Sequence, residues 1–198
     1  MVPMGSETEN VTLRRPGALG IVLPLLIRHL MHEHASRQRR SGERSAGLVI
    51  GRLPEGWHVF RDVPVGERGA NVDHVVLGPT GTFTLTAKDL TGKVWIGARS
   101  IRHNGHPTNF LSKAACEARH VSESLSSVVG RPIEVRGVLA ILADEWTIDE
   151  EPADVHVGSP RGVKDWMLRL PLALARHEVI EITAAARARS TWSARATL

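Results

Sequence analysis

One predicted β-hairpin constrains the fold of this chain more than any other stretch. Residues 71–88 read NVDHVVLGPTGTFTLTAK, which is two β-rich segments joined by Gly78-Pro79-Thr80-Gly81. Proline presets φ at the second position of a turn, and glycine accepts φ values that other residues avoid. A four-residue turn at this point fixes the register of the two strands. The predicted pairs are Leu77 with Thr82, Val75 with Thr84, and Asp73 with Thr86.

Side chains alternate between the two faces of a strand, so this register also sorts the hairpin into a mostly apolar face and a polar one. The apolar face carries Val72, His74, Val76, Phe83, Leu85 and Ala87. The other face ends in Asp73, Thr86 and Lys88. Burying an acid and a base is costly unless they are paired or bind a metal ion. The open end of this face is therefore a candidate site, and a simple ion pair between Asp73 and Lys88 is the alternative.

The composition limits the classes of protein to which the chain can belong. Its 198 residues are 42% hydrophobic, which is enough for one domain, or one domain with extensions. A net charge of +4 is compatible with nucleic-acid binding but is not diagnostic. Only four of the 25 basic residues are lysines, so Lys88 in a strand indicates a use for a compact, titratable amine. The single cysteine, Cys116, excludes an internal disulfide framework and predicts a reducing, cytoplasmic location.

The N-terminal part supplies an apolar segment, an inward carboxylate and a basic cluster. The apolar run from Ala18 to Ile27 has ten residues, whereas a membrane-spanning helix needs about 20. We therefore expect no membrane span, and a terminal helix that docks on the domain or on a second copy of the chain. Glu43 lies at helical spacing before Ala46 and Ile50, which predicts the inward face of an amphipathic helix. The basic cluster, which would be solvated surface or contact phosphates, consists of Arg37, Arg39, Arg40 and Arg44.

The rest of the chain predicts helices on both sides of a mixed sheet. The predicted elements are a turn at 89–92, a second hairpin through Gly97-Ala98, a helix from Thr108 or Asn109 to about Val129, strands at 133–144 and 155–158, and helices from Ser159-Pro160 and from Leu172 to Arg189. On the first of these helices, Lys113 and Glu117 are spaced as an i, i+4 ion pair, which we expect on its surface.

Residues along this region resemble one known family. They are Gly42-Glu43-Arg44, Leu53-Pro54-Glu55-Gly56-Trp57, Arg61-Asp62-Val63, Asn71-Val72-Asp73-His74-Val75-Val76, Gly78-Pro79, Phe83, Lys88 and Gly92-Lys93-Val94. Their order and spacing resemble the nuclease-related domain (NERD) family, which is similar to the PD-(D/E)xK restriction-endonuclease-like nucleases. The resemblance implies a mixed central sheet flanked by helices on both sides. The predicted division is a tail and apolar helix (1–35), the NERD domain (36–145), and a C-terminal strand and helices that complete or extend it (146–198).

The resemblance also implies roles for individual residues. Asp73 matches the family's metal-binding aspartate, Lys88 the lysine that stabilises the attacked phosphate, and Glu43 the glutamate of its N-terminal helix. The implied cofactor is Mg²⁺, a hard cation that takes oxygen ligands, and the implied substrate is DNA. Two positions depart from the family pattern. Thr86 stands where the family has its second acid, and Lys113 lies on the helix where the family often carries a glutamine.

Three functions remain open on the sequence alone. The first is Mg²⁺-dependent DNA cleavage by Asp73, Glu43 and Lys88. The second is a nuclease fold that binds nucleic acid without cutting it. The hydroxyl of Thr86 favours this second function because it cannot replace the charge of a carboxylate at a metal. The third is a protein-interaction module in which the N-terminal apolar helix docks on a partner.

Overall fold

The computed structural model describes residues 46–51, 53–65 and 70–193. Glu43, the four arginines of the basic cluster and the N-terminal apolar segment lie outside these ranges. The strands are β1 (His58–Val65), β2 (Ala70–Gly78), β3 (Gly81–Gly97), β4 (Ser100–His103), β5 (His106–Pro107), β6 (Val135–Ile148) and β7 (Val155–Gly158). The helices are α1 (46–50), α2 (Phe110–Val129), α3 (Pro160–Arg169), α4 (Arg176–Arg187) and α5 (Arg189–Ser193). None of the helices in these ranges is long and apolar enough to cross a membrane.

Seven strands form one mixed sheet in which β3 is central. β1, β2 and β3 pair antiparallel in sequence order, and β4 and β5 continue in the same way from the far end of β3. On its other side, β3 pairs in parallel with β6, and β6 pairs in parallel with β7. A parallel pair needs a long crossover connection, and α2 provides it. The predicted mixed sheet is confirmed.

Helices cover both faces of this sheet, as the sequence predicts. On one face, α2 and α4 pack on β1 and β2 through Val121, Leu125, Val179 and Ile182. On the other face, α1 and α3 pack on β2, β3 and β6 through Ala46, Val49, Val163 and Met167. α2 lies close to β6 because Gly137 has no side chain: a Cβ there would be 3.1 Å from the carbonyl oxygen of Ala114.

The predicted hairpin register is confirmed up to the point where its strands separate. The confirmed pairs are Leu77–Thr82 and Val75–Thr84, closed by Gly78–Gly81. Pairing begins at His74–Leu85, so the predicted third pair, Asp73–Thr86, is not part of the ladder. From here β2 continues alongside β1, and β3 continues alongside β6. Asp73 therefore lies where the two strands diverge.

The backbone beside Asp73 is distorted, and this changes one predicted face. Opposite Asp73 on β1, Asp62 has a φ of +50°, a left-handed conformation that is uncommon outside glycine. Val72 is buried in the same apolar cluster as Val75. Strict alternation along β2 would instead place Val72 on the opposite face, in the cluster that contains Val76. The pairs Arg61–His74 and Val63–Val72 keep one register across this point, so the distortion adds no residue, and the orientation of Val72 changes here.

The predicted turn at residues 89–92 is wrong, because β3 runs through it as one continuous strand. The pairing with β6 shifts register at this point, and Gly92 has a φ of +94°. The backbone N–H of Gly92 donates to Asp144 Oδ2 at 2.7 Å, and that of Lys93 donates to Asn104 Oδ1 at 2.9 Å. Since β6 holds β3 on both sides of the irregularity, the local turn signal produces a bulge instead of a reversal.

The helix predicted from Leu172 begins later, as α4. The backbone N–H groups of Ala173 and Leu174 donate to the carbonyl oxygen of Pro79, at 2.9 and 3.0 Å. These bonds tie the segment before α4 to the hairpin turn and keep it out of the helix. The predicted start of α3 after Ser159 is confirmed, since the Ser159 hydroxyl caps its first turn.

Replacing Gly92 by alanine is expected to lower the free energy of unfolding by about 1–3 kcal/mol. Alanine is strained at φ +94°, and its Cβ would lie 2.3 Å from Asn104 Oδ1. Gly105→Ala is the matched control, because Gly105 has φ +82° but nothing lies within 4 Å of a Cβ there. Urea unfolding of both variants separates the strain of a positive φ, which both share, from the contact with Asn104, which only Gly92→Ala makes. Equal losses would show that the contact with Asn104 contributes nothing.

Candidate functional site

Two contacts with α2 identify the sheet face on which the site residues of β3 lie. The hydroxyl of Thr86 donates to Glu117 Oε2 at 3.1 Å. The Nζ of Lys88 lies 5.6 Å from the ring centroid of Phe110, the first residue of α2, which is within cation–π range. Thr86 is buried and Lys88 is partly exposed. The two residues therefore share the α2 face of the sheet, as strand alternation predicts.

Glu117 is buried, which corrects the prediction that it lies on the surface of α2. Only 7% of the residue is exposed. Its Oε1 lies 3.5 Å from Lys113 Nζ, and the Lys113 side chain is half-exposed. The buried residues of α2 are Ala114, Glu117, Ala118, Val121 and Leu125. Glu117 thus occupies the inward stripe at the spacing of its apolar members, and its carboxylate reaches Thr86.

The electrostatics of Glu117 connect α2 with β2. Burial raises the pKa of Glu117 above its ordinary value. The Lys113 ammonium and the hydrogen bond from Thr86 lower this pKa because they stabilise the carboxylate, and the negative charge of Asp73 raises it. Asp73 is exposed, at the point where β2 leaves β3. The charges of Asp73 on β2 and Glu117 on α2 therefore interact, and we call this pair of carboxylates the acidic position.

The donor set of this position suits a hard divalent cation. Mg²⁺ is commonly held by one or two carboxylates, while waters and substrate phosphates complete its coordination. Asp73 supplies an exposed carboxylate and Glu117 a buried one, whose ionised form a cation would favour. Across residues 46–51, 53–65 and 70–193, no three His, Cys, Asp or Glu side chains converge on a common metal position. Asp73 and Glu117 would therefore hold such a cation only together with water or phosphate oxygens.

The neighbouring histidine, His74, has a packing role. It is buried, and within the described part of the chain its Nδ1 has no hydrogen-bond partner. Burial lowers the pKa of His74, and the nearby charge of Asp73 only partly opposes this effect. The imidazole is consequently neutral at neutral pH and adds no charge to the acidic position.

Glu117 is the site residue that sequence reasoning missed. The i, i+4 spacing found its pair with Lys113 but does not say which side chain of such a pair faces inward. The sequence does contain a signal that Glu117 is buried, since Glu117 is three residues after Ala114 and four before Val121, which places it on the apolar face of the helix. Glu43 and the basic cluster fall outside the described residues, so their proposed roles stay predictions.

A mixed sheet between two helical layers is an α/β architecture consistent with a nuclease-like fold. Within this class, the family model for the nuclease-related domain, NERD, matches residues 38–142. The match covers more than half of the 198 residues, and the chain belongs to that family. No curated protein and no solved structure matches the chain. β7, α3 and α4 follow the matched stretch but bury side chains in the same cores.

The pH dependence of stability should report the burial of Glu117. Because its pKa is higher in the folded chain than in the unfolded chain, stability falls as the pH rises through the ordinary glutamate range near 4.5. Glu117→Gln removes the charge and keeps an oxygen that can accept from Thr86. We expect the free energy of unfolding of this variant, relative to the wild type, to increase between about pH 4 and pH 7.

Urea unfolding at a series of pH values, in the presence of a chelator, measures this difference. Glu123→Gln is the control, because Glu123 is on the same helix with an exposed side chain 3.9 Å from Arg119. Its curve should run parallel to that of the wild type. A parallel curve for Glu117→Gln would contradict burial as the dominant influence on this carboxyl group.

Proposed function

We propose that this chain is a metal-dependent phosphodiesterase that cleaves DNA at a site built around Asp73 and Lys88. One observation carries the proposal: in a member of the nuclease-related domain family, Lys88 and a buried carboxylate lie on one sheet face, and Asp73 acts electrostatically on that carboxylate. This face offers oxygen ligands for a metal and an amine for a phosphate. Phosphodiester hydrolysis uses both, because negative charge grows on the phosphoryl oxygens in the transition state.

Asp73 and Lys88 have different roles in this proposal. Asp73 offers an exposed carboxylate to Mg²⁺, which when bound polarises a phosphoryl oxygen and lowers the pKa of a water. Lys88 offers a positive charge and N–H donors to the non-bridging phosphate oxygens. The ring of Phe110, 5.6 Å from its Nζ, restricts the positions that the ammonium takes and so lowers the entropic cost of placing it.

The remaining roles rest on the family resemblance. Glu43 is proposed as a further acid of the metal site. The basic cluster, Arg37, Arg39, Arg40 and Arg44, is proposed to contact phosphates, and the net charge of +4 supports this. DNA binding should then weaken with rising salt, because each neutralised phosphate releases counterions.

A second function, DNA binding without cleavage, is favoured by one observation. Position 86 carries a buried hydroxyl in place of the acid that the family has there. A neutral oxygen contributes no charge to a metal site, so loss of this acid would weaken metal binding. In that case the same surface would bind DNA in a salt-dependent way and leave it intact.

Plasmid nicking in Mg²⁺ or Mn²⁺ tests the proposed activity. We expect the wild type to nick supercoiled DNA and Lys88→Ala to do so about 10² to 10³ times more slowly, because it removes a charge that stabilises the transition state. Asp73→Asn should lose activity together with metal binding. The matched control is Lys93→Ala, since Lys93 lies on the same strand in an exposed pair with Glu145, 3.1 Å away.

The outcomes separate the two functions. Unchanged metal-dependent nicking by Lys88→Ala would rule out the proposed role of this lysine. Salt-dependent DNA binding with no nicking by the wild type would support the second function. Neither binding nor nicking would contradict both functions, leaving the protein-interaction module, whose N-terminal helix lies outside the described residues.

A further inference from the structure

We propose that Glu117 supplies, from helix α2, the acidic metal ligand that position 86 of β3 lacks. The inference deepens the proposed function and rests on it. It is carried by the Thr86–Glu117 contact: the Thr86 Oγ1 and Glu117 Oε2 atoms are 3.1 Å apart in a buried environment. A carboxylate on α2 would replace the acid that is missing at position 86, and this replacement does not depend on Glu43.

The two side chains approach each other from opposite sides of one space. A glutamate or aspartate at position 86 would extend from β3 toward α2, because Thr86 already points there. Glu117 extends from α2 toward β3 and stops at the Thr86 hydroxyl. Its carboxylate therefore occupies the region that an acidic side chain on β3 would fill, on the face that also carries Lys88.

Packing of the helix explains how a glutamate reaches this region. Ala114 and Ala118 flank Glu117 on the buried stripe, and Gly137 lets the backbone of α2 approach β6. A longer side chain at position 137 would hold α2 away from the sheet. The sequence thus places small residues where they bring the Glu117 carboxylate onto β3.

The partners of Glu117 leave its burial only partly compensated. Within the described part of the chain they are one hydroxyl, from Thr86, and one half-exposed ammonium, from Lys113, at 3.5 Å. A buried carboxylate with these partners contributes little to the stability of the fold, because apolar side chains of similar volume commonly stabilise a core as well or better. A divalent cation beside Glu117 would account for the charge, because it favours the ionised carboxylate that Thr86 and Lys113 only partly stabilise.

The first test is Mn²⁺ binding to the full-length protein without DNA, measured by calorimetry and by the electron paramagnetic resonance of free Mn²⁺. We expect Glu117→Gln to weaken binding by at least about tenfold, because it removes one full charge beside the cation. Asp73→Asn should weaken it as well. Glu123→Gln, on the exposed side of the same helix, should bind like the wild type.

The second test moves the carboxylate back to the strand. Thr86→Glu combined with Glu117→Ala exchanges the positions of the short and the acidic side chain. This double variant should bind Mn²⁺ within about threefold of the wild type, whereas Glu117→Ala alone, which keeps Thr86, should bind at least about tenfold more weakly. Circular dichroism melting confirms that each variant is folded before binding is measured.

The results distinguish failure of this inference from failure of the proposed function. One possible result is that the wild type binds Mn²⁺, that Asp73→Asn abolishes this binding, and that Glu117→Gln leaves it unchanged. Glu117 is then a structural residue, so the inference is overturned while the proposed function stands. A wild type that binds no Mn²⁺ overturns both. If Glu117→Gln does not fold, the double variant decides between the two roles of Glu117. A double variant that folds but does not bind Mn²⁺, or that is also unfolded, identifies a packing role and overturns the inference.

Discussion

The parallel pairing of β3 with β6 is the interaction on which the rest of the structure depends. It extends from Thr82–Val135 to Ile96–Ile148, along almost the whole of the longest strand. A parallel pair requires its connection to cross one face of the sheet, so α2 is obliged to lie over β3 and β6. Phe110 and Glu117 of that helix consequently reach Lys88 and Thr86. The topology of the sheet thus brings Lys88 and Thr86 of β3 into contact with α2.

The face of β3 beneath α2 is more polar than a core requires. Thr82, Thr84 and Thr86 are all buried, although valine has nearly the same shape and needs no hydrogen bond. Among the residues that the structure describes, the hydroxyls of Thr82 and Thr84 have no partner, while that of Thr86 bonds to Glu117. An unpartnered buried hydroxyl costs about 1–3 kcal/mol. Local rules of stability are most often broken at functional sites, which agrees with a site on this face.

The sequence predicts those parts of the fold that local chemistry determines. The hairpin at Gly78–Gly81, the strand at Val155–Gly158 and the cap at Ser159 all follow from turn, strand and capping preferences, and all are present. The failures have distant causes. Residues 89–92 carry a turn signal that pairing with β6 overrides, and the start of α4 depends on bonds to Pro79, about a hundred residues away in the sequence.

The candidate site also divides into features that local sequence determines and features that depend on distant contacts. Alternation along β3 predicts that Thr86 and Lys88 share a face, because the period of a strand is a local property. The divergence of the strands at Asp73 and the burial of Glu117 require knowledge of the strands and helices that pack nearby. Spacing along α2 could have indicated Glu117, but only a structure shows that the carboxylate meets Thr86.

An acid carried by a helix makes the site depend on packing in a way that a strand acid would not. A side chain at position 86 is held by β3, whose backbone is fixed by its ladder with β6. Glu117 is held by the contacts of α2 with the sheet, including the close approach of Ala114 to Gly137. A Cβ at position 137 would push the helix outward by a few tenths of an ångström. The bond from Thr86 to Glu117, at 3.1 Å, is already slightly longer than the usual range for an O–H···O hydrogen bond. Gly137, which looks like a weak point in an apolar strand, therefore stabilises the geometry of the site, and core packing and site electrostatics depend on the same contact.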